Sequence, residues 1–520
     1  MAEATGAIPA PRFGTKLVYG LGSVAYGTKD AGFATFLLIF YNQVLGLPAT
    51  LVSLAIMVAI TADALFDPII GEISDNWRSR LGRRHPFMYA SALPVSLFFF
   101  ALWNPPHWHS WWLFGYLVTT AILVRIAIAC YEIPSTALAP ELSPDYDQRT
   151  SLMAFRWLFL ALGNGGTLTV ALVFFMVATK AQPTGILNRD GYFAYSIMAA
   201  LVMAASILVS AAGTHGRIKY MKQLPVRPRP TLIKQAREMY ESLSHRSLLM
   251  VTLTNLFGGM ALGLGSVLNT YFGTYFWKFT PVQLSVLGLG ALLAVAIAVP
   301  VAPLVSARLG KRLGFIATAF GSLFVNNITM TLKLFGLMPK DGSNMLLLIF
   351  FSSVTVGLAL AISSGILITS MITDVVEDSE LKTGRRSEGL FSASLSFVNK
   401  ATSGLGILLA GILIDLVHFP QHAAQATIDT VAPHAVRNLV LIYMPLQIML
   451  WIIAISLITG YRIDRKTHEH NLKLLAESAA LAEMSPAGLE AAGAAGSIGE
   501  SNIAAAAAGS ISDSNIAAAE

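Results

Sequence analysis

Residues Thr61 to Phe87 read TADALFDPIIGEISDNWRSRLGRRHPF. The first half continues an apolar run that begins at Leu51, and two carboxylates, Asp63 and Asp67, interrupt it. A spacing of four puts both on one face of a helix, about 6 Å apart along its axis. Counted from Pro48, Asp63 falls near the middle of a helix of membrane-spanning length. A carboxylate at that depth costs roughly 2.5–3.5 kcal/mol on insertion scales, so an acid kept there marks a functional position. The second half reverses the chemistry. Arg78, Arg80, Arg83 and Arg84 crowd one short loop, with Glu72 and Asp75 just ahead of them. Acids in the bilayer followed by a dense basic loop read as a cation site tied to a cytoplasmic gate, with Asp75, Arg78, Arg83 and Arg84 as the gate residues. The plainer alternative is that the arginines only set topology.

The rest of the chain agrees with a membrane reading. Only 12% of its 520 residues are charged and 55% are hydrophobic, against about 25% charged in a soluble domain. The mean hydropathy is +0.63. The composition predicts an all-α polytopic membrane protein. A net charge of +6 does not point to nucleic acid, because the basic residues cluster in short loops between apolar runs. Cys130 is the single cysteine, so there is no intrachain disulfide and no thiol metal site. No P-loop, GxSxG or HExxH pattern is present, which argues against ATP-driven pumping and familiar hydrolase chemistry. No enzyme activity and no cofactor are expected. Residues 1–14 lack the apolar core of a signal peptide.

Apolar runs of spanning length fall at about 16–46, 49–75, 87–104, 111–138, 150–179, 190–213, 247–277, 283–307, 312–336, 345–374, 388–417 and 436–460. Twelve spans are therefore expected. Lys and Arg concentrate in the loops after the even-numbered spans, which puts both termini in the cytoplasm by the positive-inside rule. The longest internal loop splits the spans six and six. The expected organisation is a six-helix bundle over 1–213, a Pro-containing basic linker over 214–246, a second bundle over 247–460, and an Ala/Gly/Ser-rich cytoplasmic tail over 461–520. In that tail AGSIGESNIAAAA is followed by AGSISDSNIAAAE, an imperfect repeat too small-sided to build a core. Two bundles of six predict a transporter with its site at mid-membrane between them.

Nine charged residues lie well within the expected spans: Lys29, Asp30, Asp63, Asp67, Arg125, Glu132, Arg156, Lys333 and Lys400. Each is costly alone, so most are expected to pair around a shared interior. Lys333 is near a span end and is expected to reach the interface. Arg125 and Glu132 are seven apart and share a helical face. Carboxylates with few competing ligands suit Na⁺ through hard oxygens, or H⁺ through a raised pKa. Nearby Lys and Arg can occupy the acids when the cation leaves. A packing role for any one pair is the competing reading. Asp374, Glu377, Asp378 and Glu380, followed by Lys382, Arg385 and Arg386, repeat the acid-then-base pattern between spans 10 and 11. Gly163, Gly165, Gly166, Gly259, Gly263 and Gly265 sit mid-span and permit close helix contact.

The stretch DALFDPIIGEISDNWRSRLGRRHPF resembles the DxxxDPxxGxxxDxxxxRxGRRxP signature of the glycoside–pentoside–hexuronide cation symporters, the melibiose-carrier-like branch of the major facilitator superfamily. GTKDAGFATFLLIFYNQVLG resembles that family's first helix, YEIPSTALAPELSPDYDQRTSLMAFR its fourth helix, loop and fifth helix, and SEGLFSASLSFVNKATSGLG its eleventh. The resemblance covers most of 16–460. It implies the twelve-helix major facilitator fold in the inner membrane. It also implies coupling-cation carboxylates at Asp63 and Asp67, a residue serving both sugar and cation at Glu132, sugar contacts at Lys29, Asp30 and Arg156, and a cation-site lysine at Lys400.

Three positions depart from the pattern. Ala129 stands where a threonine oxygen is expected, which leaves both Na⁺ and H⁺ open. Thr136 stands where a sugar-packing tryptophan is expected. Ile60 stands where an arginine is expected, and Arg125 is an added cation that either restores that charge or binds an acidic substrate. The function implied is cation-coupled symport of a sugar or glycoside, with the lipid bilayer and a small molecule as its partners. The alternatives are a lysophospholipid-like amphiphile as substrate, since an animal branch resembles the same motif, or a non-transporting receptor or scaffold using the tail.

Overall fold

The computed structural model describes residues 9–143, 145–179, 182, 184–218, 246–383, 388–421 and 433–461. Every long element among them is a helix. The first span, α1 (13–44), is assembled from helical pieces at Phe13–Leu21, Ser23–Ala31 and Leu37–Ile39, alternating with π-helical turns at Gly32–Phe36 and Phe40–Val44. Then follow α2 (Ala49–Asn76), α3 (His85–Trp103), α4 (Ser110–Leu142), α5 (146–175), α6 (Arg189–His215) and α7 (246–276). The element Pro281–Leu334 holds α8 and α9, and α10 (Asn344–Thr383), α11 (Glu388–Leu416) and α12 (Pro433–Ile458) complete the order.

Ten helices of the described residues have the length and hydropathy to cross a membrane. Pro281–Leu334 counts once among them but is two spans. At Gly310 the backbone takes φ 77° and ψ 169°, and the chain doubles back. A Cβ on Gly314 would meet Val305 Cγ1 at 3.0 Å, a contact that a straight helix could not make over nine residues. Cut by its π turns, α1 has no uninterrupted stretch of spanning length. With α1 counted and the merged element divided, the spans are the twelve that the apolar runs predict.

Local sequence explains several helix starts. Thr280 and Gln283 form a reciprocal capping box with Pro281 in the first turn of α8. Asp145 caps α5 by accepting from the Gln148 N–H, and Asn188 caps α6 by accepting from the Asp190 N–H. At the start of α4, Trp111 and Trp112 are each 73% exposed, as expected of an aromatic belt at a membrane interface.

The two halves repeat one packing plan. In the first, α1 packs on α5 and α6; in the second, α7 packs on α11 and α12. Small residues make these approaches possible. A Cβ on Gly27 would lie 2.2 Å from the Leu160 carbonyl oxygen, and one on Gly263 would lie 2.1 Å from that of Ser403. Between the halves, α2 packs on α11 and α5 packs on the α8–α9 hairpin.

These spans, apart from the last ten residues of α10, belong to a main unit of residues 1–373 and 388–462; a second unit comprises 374–387 and 463–520. Most of the expected linker (219–245), the repeat-bearing tail from 462 onward and the side chains of Glu377, Asp378, Glu380, Lys382, Arg385 and Arg386 lie outside the described residues.

Candidate functional site

Among the described residues, oppositely charged side chains pair in the interior of the spans. Asp63 is 6% exposed and takes two bases on its Oδ2 atom. Arg125 of α4 donates to it at 3.3 Å and Lys400 of α11 at 3.0 Å. Lys400 also donates to Asp67, one turn further along α2. The sequence spacing that puts Asp63 and Asp67 on one face therefore lets a single ammonium bridge them. Pro68 follows Asp67 inside the helix and has no N–H to give the carbonyl of Ala64. An additional backbone oxygen thus lies on the turn between the two acids. The Arg125 guanidinium also lies 4.8 Å over the Phe33 ring of α1.

A second cluster joins α4, α5 and α1. Arg156 donates to Glu132, to Ser135 Oγ at 2.7 Å and to Thr136 Oγ1 at 2.8 Å, and its guanidinium sits 5.4 Å over the Tyr19 ring. Glu132 Oε2 is buried and, among the described residues, takes no hydrogen bond. A third pair lies on α1, where Lys29 bonds Asp30 at 2.6 Å and covers the Tyr26 ring at 3.9 Å. Lys29 is buried, but the Asp30 side chain is 39% exposed, that of Asp67 31% and that of Lys400 24%. These pairs are therefore partly exposed although they lie mid-span.

Arg125 and Glu132 share a face of α4 but serve different partners, Asp63 and Arg156. Lys333 lies in the last turn of α9 and reaches Asp341 at 2.6 Å. The loop arginines are organised by Glu141 at the end of α4. Arg83 bonds it at 2.7 Å and Arg84 at 2.5 Å, while Arg84 also pairs with Asp75 at 3.1 Å. These residues all belong to the first half. Arg78 is exposed.

At the opposite end, the halves are joined by contacts that sequence reading does not single out. Tyr271 of α7 donates to Asn42 Oδ1 at 2.9 Å, and Tyr275 to Gln43 Oε1 at 3.1 Å. Gln43 Nε2 donates to the Pro420 carbonyl at 3.0 Å. Asn42 and Gln43 stand on one π turn, and Tyr275 on another. Ser135 and Tyr19 carry no mark in the sequence either. Glu141 alone had a signal, an acid in the APEL segment close to a span end.

The family described as MFS/sugar transport protein matches residues 18–465. The isoprimeverose transporter of Lactiplantibacillus pentosus is 23% identical, over 78% of this chain and 81% of its own. The sodium-dependent lysophosphatidylcholine symporter 1 of Mus musculus is 24% identical, over 88% of this chain and 87% of its own. The inward-open conformation of the xylose transporter XylE from E. coli superposes with a TM-score of 0.55 at 14% identity, over 88% of this chain and 98% of that one. That likeness shows the major facilitator fold. The glycoside–pentoside–hexuronide assignment read from the motifs agrees with the family match and with these relatives. The chain belongs to the MFS/sugar transport protein family and is a multi-pass membrane transporter rather than an enzyme.

Proposed function

We propose that the protein is a cation-coupled symporter that carries a sugar or glycoside across the cytoplasmic membrane by alternating access, with the basic loops and both termini on the cytoplasmic side. The observation that carries this reading is the bridge from Lys400 to Asp63 and Asp67. The lysine comes from the second half and the acids from the first. A coupling cation that takes the acids must displace the lysine, and so alters a contact between the two halves. Na⁺ would find hard oxygens on Asp63, Asp67 and the Ala64 carbonyl; H⁺ would neutralise an acid directly. Sugar hydroxyls suit the neighbouring groups, because Asp30 and Glu132 accept while Arg156 and Lys29 donate. Linkage requires that bound cation and bound sugar raise each other's affinity by the same factor.

The isoprimeverose relative favours a glycoside, and the mouse relative supplies the second reading, a lysophospholipid. Proteoliposome uptake under separate Na⁺ and H⁺ gradients, with neutral glycosides, acidic glycosides and lysophosphatidylcholine, distinguishes them. Gradient-driven accumulation of a glycoside, lost in Asp63→Asn, is the expected result. Accumulation of lysophosphatidylcholine alone would move the assignment to the amphiphile. Wild-type ion dependence in Asp63→Asn would remove the acids from coupling.

A further inference from the structure

The helix that carries the two acids has no cap of its own. Pro48 is the N-cap residue of α2 and offers no side-chain acceptor. The first N–H groups of a helix have no partner within it and need one elsewhere. They find it in the other half of the molecule. Asp415, in the last turn of α11, accepts from the Ala49 N–H on Oδ1 at 3.1 Å and from the Thr50 N–H on Oδ2 at 2.8 Å. A carboxylate at a helix N-terminus also gains from the helix dipole.

Asp415 shares its helix with Lys400. Between these two residues α11 lies against α2 with almost no clearance. A Cβ on Gly411 would come within 1.9 Å of Ser53 Oγ and 2.5 Å of the Ala49 carbonyl oxygen, and one on Gly404 within 3.1 Å of Met57 Cγ. Reading down α2, Ala49 and Thr50 meet Asp415, Ser53 meets Gly411, Met57 meets Gly404, and Asp63 and Asp67 meet Lys400. This is one antiparallel register. From Thr50 to Asp63 is thirteen residues and from Asp415 to Lys400 is fifteen, or about 20 and 22 Å of helix.

We propose that Asp415 is the outer clamp of the seam between α2 and α11, and that through this register it positions Lys400 against Asp63 and Asp67. In alternating access the outer end of this seam must part. Parting frees the α2 N-terminus and shifts α11, so the same movement withdraws Lys400 from the acids and opens them to an incoming cation. Asp415 thus couples the outer gate to the ion site without touching the ion. The positioning claim rests on the coupling role proposed for the acids; the clamp claim does not.

Two readouts separate the claims. In a Cys130→Ala background, Ser53→Cys places the only thiol in the seam, where Ser53 is fully buried. Its modification by a membrane-impermeant maleimide applied from outside reports opening. Asp415→Ala is expected to speed labelling roughly tenfold, equivalent to 1.4 kcal/mol. Asp415→Asn, which keeps one acceptor oxygen and the side-chain shape, is expected to give a smaller increase and guards against misfolding of the alanine variant. Unchanged labelling in both variants overturns the clamp. The second readout is the external coupling-ion concentration giving half-maximal uptake, measured with Ser53 intact. It is expected to fall several-fold in Asp415→Ala, because the competing lysine is displaced. Faster labelling with an unchanged half-saturation overturns the positioning role and leaves the clamp. Ion-independent uptake in the wild type as well would instead overturn the symport reading, while the labelling result stands.

Discussion

At the scale of single residues, the site is an arrangement of charges that cannot be altered one at a time without cost. Lys400→Met leaves Asp63 with Arg125 and takes from Asp67 the one base that bonds it among the described residues. Asp67→Asn leaves two bases for one acid. Removing both restores the balance. Buried pairs behave this way because the surviving charge loses its partner but not its desolvation. Because the side chains of Lys400 and Asp67 are 24% and 31% exposed, each single change should cost only about 1–3 kcal/mol, less than for a fully buried pair. The double change should cost less than the sum by about 0.5–3 kcal/mol. Thermal unfolding of the four proteins in one detergent measures this, and strict additivity would deny the bridge. Sequence reading found the charges themselves, since an acid or base in an apolar run is conspicuous. The family resemblance put Lys400 beside the α2 acids, but sequence reading assigned no partner to Arg125 or Arg156. Helical spacing shows which face a residue takes, but not which helix stands opposite, and so Arg125 could not be assigned to Asp63 over Glu132 in advance. The pairing agrees with Arg125 supplying the charge absent at Ile60.

At the scale of elements, apolar length predicted the spans to within about four residues except at the end of α10, which runs to Thr383 past the expected 374, because the bilayer sets helix length more strictly than any propensity does. Interruptions were harder to see. The π turns of α1 leave no mark in hydropathy, yet they place Asn42 and Gln43 toward α7. The turn at Gly310 was legible as the basic loop between spans 8 and 9, though not its backbone geometry. With φ 77° and ψ 169°, that residue occupies a region that is almost exclusively glycine's. No neighbouring atom lies within 4 Å of where its Cβ would be, so substitution tests the backbone alone. Gly310→Ala and Gly310→Asn are both expected to destabilise the α8–α9 hairpin by about 1–3 kcal/mol. Asparagine should give no rescue, because its tolerance of positive φ is for the left-handed helical region. Denaturation in detergent reads the effect, and a fully stable Gly310→Ala would show that the turn accepts an ordinary conformation.

At the scale of the whole molecule, the electrical balance of the interior decides how transport responds to voltage. Lys29, Arg125, Arg156 and Lys400 face Asp30, Asp63, Asp67 and Glu132, four bases and four acids in contact. The empty carrier therefore presents no net charge from these groups and can reorient with little electrical work. Under the proposed symport, adding one monovalent cation and a neutral glycoside would make the loaded form +1. Moving that charge through 100 mV is worth about 2.3 kcal/mol, or roughly fiftyfold in accumulation. An acidic glycoside would cancel the cation and remove the dependence. The expected result, for proteoliposomes with a fixed ion gradient and an imposed potassium diffusion potential, is that an inside-negative potential drives uptake of the neutral substrate and leaves that of an acidic analogue nearly unchanged. Arg125 and Arg156 are both engaged by protein carboxylates, which is why the neutral compound is expected to be the better substrate. Voltage-insensitive uptake of a neutral glycoside would show that a second charge moves with the cation, and the four-to-four balance would then be the wrong description of the loaded state.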